Sequence, residues 1–169
     1  MDNRIYGVVI GTVKSLDDPD SLGRIQLTFP WMSDDNESPW ARVAVQMAGE
    51  GRGMWYMPEL EDEVLVAFEH GDPQHPYVIG FLWNGKDKPP TTNTRRRLIH
   101  SLNGHEIEIY DPDPKDGDKG FIRIKDAHGN KIELSNATLT IEGVGNLQIN
   151  APNITINKRL VAPIPGKPI

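Results

Sequence analysis

Apolar and polar residues alternate in short runs along most of this chain, and no apolar run approaches the length of a helix. Ile25, Leu27 and Phe29 fall on one side of a strand, as do Ala41, Val43 and Val45, and then Val64, Val66 and Phe68. With 5–14 before them and 77–83 after them, these runs predict five short strands within residues 1–84. The breaks between them are rich in turn formers: Asp17-Asp18-Pro19-Asp20-Ser21-Leu22-Gly23, the glycines Gly49, Gly51 and Gly53, Pro58, and Gly71-Asp72-Pro73-Gln74-His75-Pro76. Five such strands fit a small closed barrel of the oligonucleotide/oligosaccharide-binding (OB) type, because closure removes the edges an open sheet exposes; other five-stranded barrels fit the pattern too.

The pattern changes after residue 84. Residues 84–94 carry a Pro pair and no large apolar side chain, so 85–100 is expected to be a linker. Beyond it, pairs of apolar residues with one residue between them recur: Ile107/Ile109, Ile122/Ile124, Ile132/Leu134, Leu139/Ile141, Leu147/Ile149 and Ile154/Ile156. From Ile132 onward the step is seven or eight, and a coil of a single-chain solenoid takes on the order of 20 residues. One chain therefore cannot enclose a core with this unit. Three chains wound about a common axis, each giving one wall of a triangular prism, would bury it, and the simpler alternative is an antiparallel meander. The expected fold class is all-β: an N-terminal five-stranded OB-type barrel, then a C-terminal stalk forming an intertwined triple-stranded β-helix in a homotrimer. The boundaries are 1–84 for the barrel, 85–100 for the linker, 101–160 for the needle and 161–169 for a tip segment. The expected trimer core is Ile122, Ile124, Ile132, Leu134, Leu139, Ile141, Leu147, Ile149, Ile154 and Ile156.

Composition narrows the functional classes. The 169 residues include 16 Gly, 14 Pro and no Cys, which suits an all-β protein rich in turns and removes disulfides and thiolate metal sites. A net charge of −6 opposes nonspecific binding to nucleic acid, which needs a basic surface. Arg95-Arg96-Arg97 is the one concentration of positive charge; it reads as a solvated segment or as a contact with an acidic partner. The apolar stretch 5–13 is broken by Gly7 and Gly11 and lacks a basic leader, so neither a signal peptide nor a membrane span is expected.

Four blocks, in order and at matching spacing, resemble the spike proteins of contractile tails. They are Ser21-Leu22-Gly23-Arg24-Ile25-Gln26-Leu27-Thr28-Phe29-Pro30-Trp31, Trp40-Ala41-Arg42-Val43-Ala44, Pro58-Glu59-Leu60-Glu61-Asp62-Glu63-Val64-Leu65-Val66, and Gly71-Asp72-Pro73-Gln74-His75-Pro76-Tyr77-Val78-Ile79-Gly80. Asn103-Gly104-His105-Glu106-Ile107 and Gly129-Asn130-Lys131-Ile132-Glu133-Leu134 are similar to the stalk openings of the same family. That family comprises phage baseplate assembly protein V and the valine-glycine repeat protein G (VgrG) of type VI secretion. The resemblance implies a trimer with a barrel collar, a three-chain needle, a threefold tail hub at the barrel end and a target membrane met on firing. It implies assembly in the cytoplasm and delivery outside the cell on contraction, as part of a phage tail, a virion or a phage-derived particle.

Candidate chemistry is sparse. Some spikes of this family carry a lysozyme domain between barrel and needle, but 85–100 has no room for one, and a two-carboxylate glycosidase site needs a cleft. Asp34, Asp35 and Glu37 read as a solvated loop. His70, His75, His100, His105 and His128 are scattered through turns without zinc-ligand spacing, and no Gly-x-Ser-x-Gly supports a triad. No catalytic residue, cofactor or metal is expected. Some family members end in a His-x-His iron site, whereas no histidine follows His128 here. Val161, Ile164 and Ile169 are instead expected to seat a separate tip protein of the proline-alanine-alanine-arginine (PAAR) type by strand addition and apolar contact. Trp31, Trp40, Trp55 and Trp83 read as core or subunit-contact residues, with a ligand groove as the sharper option. The leading reading is a structural, membrane-puncturing spike with no nucleic-acid partner. The runner-up is an OB-type module that binds single-stranded nucleic acid or carbohydrate, and an adhesive fibre is a third possibility.

Overall fold

The computed structural model describes residues 4–32, 37–157 and 159–160, with backbone only for residues 116, 159 and 160. It contains strands, two single-turn 3-10 helices (Glu69–Gly71 and Pro114–Asp116) and no longer helix among the described residues. None is long and apolar enough to cross a membrane. The chain divides into two compact units between Pro89 and Pro90.

In the first unit, β1 (Val8–Ser15), β2 (Arg24–Thr28), β3 (Ala41–Val43), β6 (Glu63–Phe68) and β7 (Pro76–Leu82) close into a barrel, and β4 (Ala48–Gly49) and β5 (Arg52–Gly53) form a small hairpin between β3 and β6. These are the five strands expected from alternation. All neighbours are antiparallel except β3 and β7, whose parallel pairing at Arg42↔Tyr77 and Val43↔Val78 closes the cylinder. Alternation explains why the cylinder is filled: Val13, Ile25, Leu27, Ala41, Val64, Val66 and Val78 all point inward and are fully buried, and Phe29 and Phe68 cap them at tilted rings 5.7 Å apart. β3 is only three residues long, and Ser38 extends its edge. Its backbone N–H donates to Leu27 O (2.8 Å), and its hydroxyl accepts from Leu27 N–H (3.0 Å) and donates to Pro39 O (2.6 Å). A buried serine thus satisfies a strand residue that would otherwise lack a partner.

In the second unit, β8 (Arg96–His100), β9 (Glu106–Tyr110), β10 (Phe121–Lys125), β11 (Lys131–Ser135) and β12 (Thr138–Glu142) form one antiparallel sheet in sequential order. Residues 96–142 of the single chain thus take the meander, the alternative to a strand-and-corner repeat. The residues between Ile132/Leu134 and Leu139/Ile141 make a hairpin turn rather than a corner, with Asn136 and Ala137 both left-handed (φ 48° and 61°) and Leu134 opposite Leu139. The segment 85–100, expected to be linker, is not uniform: from Arg96 it is the edge strand β8. Farther on, β13 (Thr155–Ile156) pairs with β14 (Arg159–Leu160).

Candidate functional site: an uncovered apolar sheet face

Each strand of the meander reads polar-apolar-polar-apolar-polar or close to it, so its apolar residues share one face. The register lines them up into two rows across the sheet. Ile99, Ile107, Ile124, Ile132 and Ile141 stand directly opposite one another from β8 to β12. Ile109, Ile122, Leu134 and Leu139 form the second row, with Arg97 at its β8 end. All nine apolar side chains are between 41 % and 62 % exposed. Isolated apolar residues on a surface are ordinary, but two continuous rows of β-branched and leucine side chains make a patch of the kind that marks an interaction face.

The opposite face explains why the sheet has a fixed register although this face is bare. Glu108 on β9 is 3 % exposed and lies between two arginines: Arg96 Nη1 is 2.9 Å from Glu108 Oε1, and Arg123 Nη1 is 3.6 Å from Oε2. Arg123 continues the ladder by donating from Nε to Glu133 (2.8 Å). The two guanidiniums also lie over aromatic rings, Arg96 over Tyr110 and Arg123 over Phe121 at 4.0 Å. Stacked, multiply paired arginines of this kind fix cross-strand geometry better than lone surface ion pairs do. At one end, Arg95 and Arg97 are tied to the β9–β10 loop through Asp113 (3.4 Å) and Asp111 (2.7 Å). The arginine triplet is therefore neither merely solvated nor free for an acidic partner; each member pairs within its own unit. At the other end, Asp126 accepts from the side chain and backbone of Asn130 and from His128 N, which holds its carboxyl below the usual aspartate range.

Six of the ten expected core residues, Ile122, Ile124, Ile132, Leu134, Leu139 and Ile141, lie together on this face. Leu147 and Ile149 are exposed and outside any strand, Ile154 is half-buried and Ile156 is exposed in β13. Val161, Ile164 and Ile169 lie outside the described residues. Ile99, Ile107 and Ile109 complete the rows although they are absent from the expected core. Ile107/Ile109 have the same paired spacing as the later repeats, whereas Ile99 is masked by the adjacent Leu98 and the arginines before it. Among the described residues no three His, Cys, Asp or Glu side chains are placed to hold a metal ion.

Residues 9–83 match the family described as the type VI secretion system/phage-baseplate injector OB domain. The barrel is a domain of that family. The chain is 32 % identical over 116 residues to the type VI secretion system spike protein VgrG5 of Pseudomonas aeruginosa, a match covering 65 % of this chain and 14 % of that protein. VgrG4b of the same species is 36 % identical over 105 residues (54 % and 13 %), and VgrG3 of Vibrio cholerae is 35 % identical over 75 residues (42 % and 7 %). The chain thus spans about one seventh or less of the length of these relatives. A match covering 65 % of 169 residues is longer than the first unit, so the likeness to VgrG5 runs into the second. Over this region the chain is similar to VgrG baseplate and spike proteins.

Proposed function

We propose that this protein is the trimeric central spike of a contractile injection machine, a structural, non-enzymatic part that is driven through a target membrane. The observation that carries the proposal is the pair of apolar rows. Three sheets with these rows turned inward form a triangular prism whose outside is the arginine–glutamate ladder. Covering each half-exposed Ile or Leu contributes on the order of 1 kcal/mol, so three sheets together gain far more than a chance contact. After the sheet the pairs Leu147/Ile149 and Ile154/Ile156 continue as an intertwined triple-stranded β-helix, in which the segment around Leu147 and Ile149 finds the neighbouring strands that it lacks in a lone chain. Bending such a needle requires breaking many backbone hydrogen bonds together.

In this reading the barrel, residues 1–84, is the collar that seats on a threefold tail hub. Residues 101–160 supply rigidity, and Val161, Ile164 and Ile169 receive a PAAR-type tip protein. The support is the match to the injector OB domain and the likeness to relatives that are type VI secretion system spike proteins. Nucleic acid is not among the partners in this reading, consistent with the net charge of −6. The deciding measurement is mass in solution by sedimentation or light scattering. Three chains per particle are expected; a stable single chain at micromolar concentration would sink the proposal.

A further inference from the structure

One end of the barrel carries a feature that spike architecture does not call for. Val13 donates its N–H to Asp62 O (3.0 Å) and accepts from Glu61 N–H (2.9 Å), which brings the 59–62 turn beside the end of β1. The chain then runs from β1 into the 16–23 loop. Asp17, Asp18, Asp20, Glu59, Glu61, Asp62 and Glu63 are thereby gathered around an end whose nearby bases in sequence are Lys14 and Arg24. Arg24 does not offset the rim, because it is already held. Asp18 pairs with its Nη2 at 2.6 Å while also accepting from the N–H groups of Asp20, Leu22 and Arg24, and Asp20 pairs with the same Nη2. The exposed Asp17 carboxylate has no partner among the described residues; only its backbone N–H is used, toward Ser15.

Beside the 16–23 loop lies a groove of about 480 Å³ lined by Leu16, Asp17, Ser21, Trp55 and Met57 together with Gly23 and the Asp18–Arg24 pair. Trp55 is 73 % exposed, and the edge of its ring lies against Gly23. A Cβ at Gly23 would come within 2.8 Å of Trp55 Cζ3 and push the ring aside, and the φ of +72° at Gly23 favours glycine. An open indole face, an apolar floor and an unpaired carboxylate are the complement of a long cationic side chain, whose stem packs on the apolar wall while its charge meets ring and carboxylate.

We propose that this groove takes a lysine or arginine side chain presented by a basic loop of another protein. A phosphate-bearing ligand is opposed by the acidic rim. A second copy of this chain is a poor donor, because its concentrated bases Arg95, Arg96 and Arg97 are engaged by Asp113, Glu108 and Asp111. The site is a side-chain pocket on one barrel and does not depend on the oligomeric state.

The test uses the full chain labelled with 5-fluorotryptophan, whose four tryptophans give separate fluorine resonances, with Trp55 assigned through Trp55→Phe. A short oligo-arginine peptide should move the Trp55 resonance saturably, leave those of Trp31, Trp40 and Trp83 in place, and bind less well as salt rises. In calorimetry, Trp55→Ala should weaken binding about tenfold and Asp17→Asn about threefold to fivefold. Gly23→Ala, which displaces the ring without removing it, should weaken binding as well. An unmoved Trp55 resonance at millimolar peptide, a response of equal size to oligo-glutamate, or a shift produced instead by an oligothymidylate or an oligosaccharide would each overturn the proposal. Because the readout is the same for one chain or three, it stands or falls separately from the spike reading.

Discussion

The barrel and the meander are written in the same alternation, but one covers its apolar residues and the other leaves them bare. Val64, Val66 and Phe68 are buried because β3 and β7 meet and turn five strands into a closed surface with an inside. Ile132, Leu134, Leu139 and Ile141 have the same spacing, but their sheet ends in two edges, β8 and β12, and never acquires an inside. Alternation therefore specifies which face is apolar, and topology decides whether the chain itself can cover that face. The polar side of the meander carries the ordering interactions that a core would otherwise supply, with Glu108 shared by Arg96 and Arg123.

The largest effect should come from placing a charge in the middle of the bare rows. Ile141→Asp puts one carboxylate per chain on a face that three chains are proposed to close, and each unpaired buried charge costs several kcal/mol, on the order of 3–5. Loss of the trimer by light scattering is expected, with tryptophan fluorescence showing the barrel intact. An unchanged mass would mean that this face is not the one buried between copies.

Leu27→Ala is the matching change inside the barrel. Removing a fully buried leucine should cost about 2–5 kcal/mol, measured by denaturant unfolding of the barrel. The contrast lies in concentration dependence: the loss at Leu27 should be the same at any protein concentration, whereas a truncation such as Leu134→Ala should hurt most in dilute solution. If both respond alike to dilution, the two regions are not covered in different ways.

These two regions also differed in how much could be read in advance. Ile25/Leu27/Phe29 and Val64/Val66/Phe68 are clean strand signals bounded by turn residues, so five barrel strands were legible. The parallel β3–β7 closure was not, because nothing local in Ala41–Val43 marks its partner; nor was Ser38, whose hydroxyl satisfies Leu27 across a sequence distance of eleven. In the second unit the apolar pairs identified the face but not the pairing. Arg96 reads as linker in the sequence because the acid that compensates its charge, Glu108, comes alongside only through the β8–β9 pairing.

Acid should act next, on the meander through Asp126 and on the barrel through two carboxyls. The carboxyls of Asp18 and Asp72 in the barrel are held below the ordinary aspartate range, Asp18 first by the Arg24 side chain and Asp72 first by the Gln74 N–H. A carboxyl whose pKa is lower folded than unfolded binds more protons in the unfolded chain. Its contribution is therefore fully present above about pH 4, the unfolded value, and lost as pH falls through the folded value. Barrel stability should fall as pH drops below about 4. Asp18→Asn should be less stable at neutral pH and should flatten much of that fall; an unaltered slope would mean that the Asp18–Arg24 pair does not anchor the 16–23 loop.

The smallest effect concerns the hairpin whose turn carried no glycine signal. A two-residue turn with both residues left-handed is usually marked by Asn-Gly, and here Asn136 is followed by Ala137 at φ 61°. A Cβ in that region costs roughly 1–2 kcal/mol, and the greater freedom of glycine in the unfolded chain returns about 0.4–1 of it. Ala137→Gly should therefore stabilise the β11–β12 hairpin by between about 0 and about 1.6 kcal/mol. Amide hydrogen exchange reads this locally: protection of the β11–β12 amides should rise severalfold, while Leu27 in the barrel is unchanged. Reduced protection would mean that Ala137 is not left-handed in solution, and that Leu134 and Leu139 do not face each other across a turn but sit on successive walls separated by a corner.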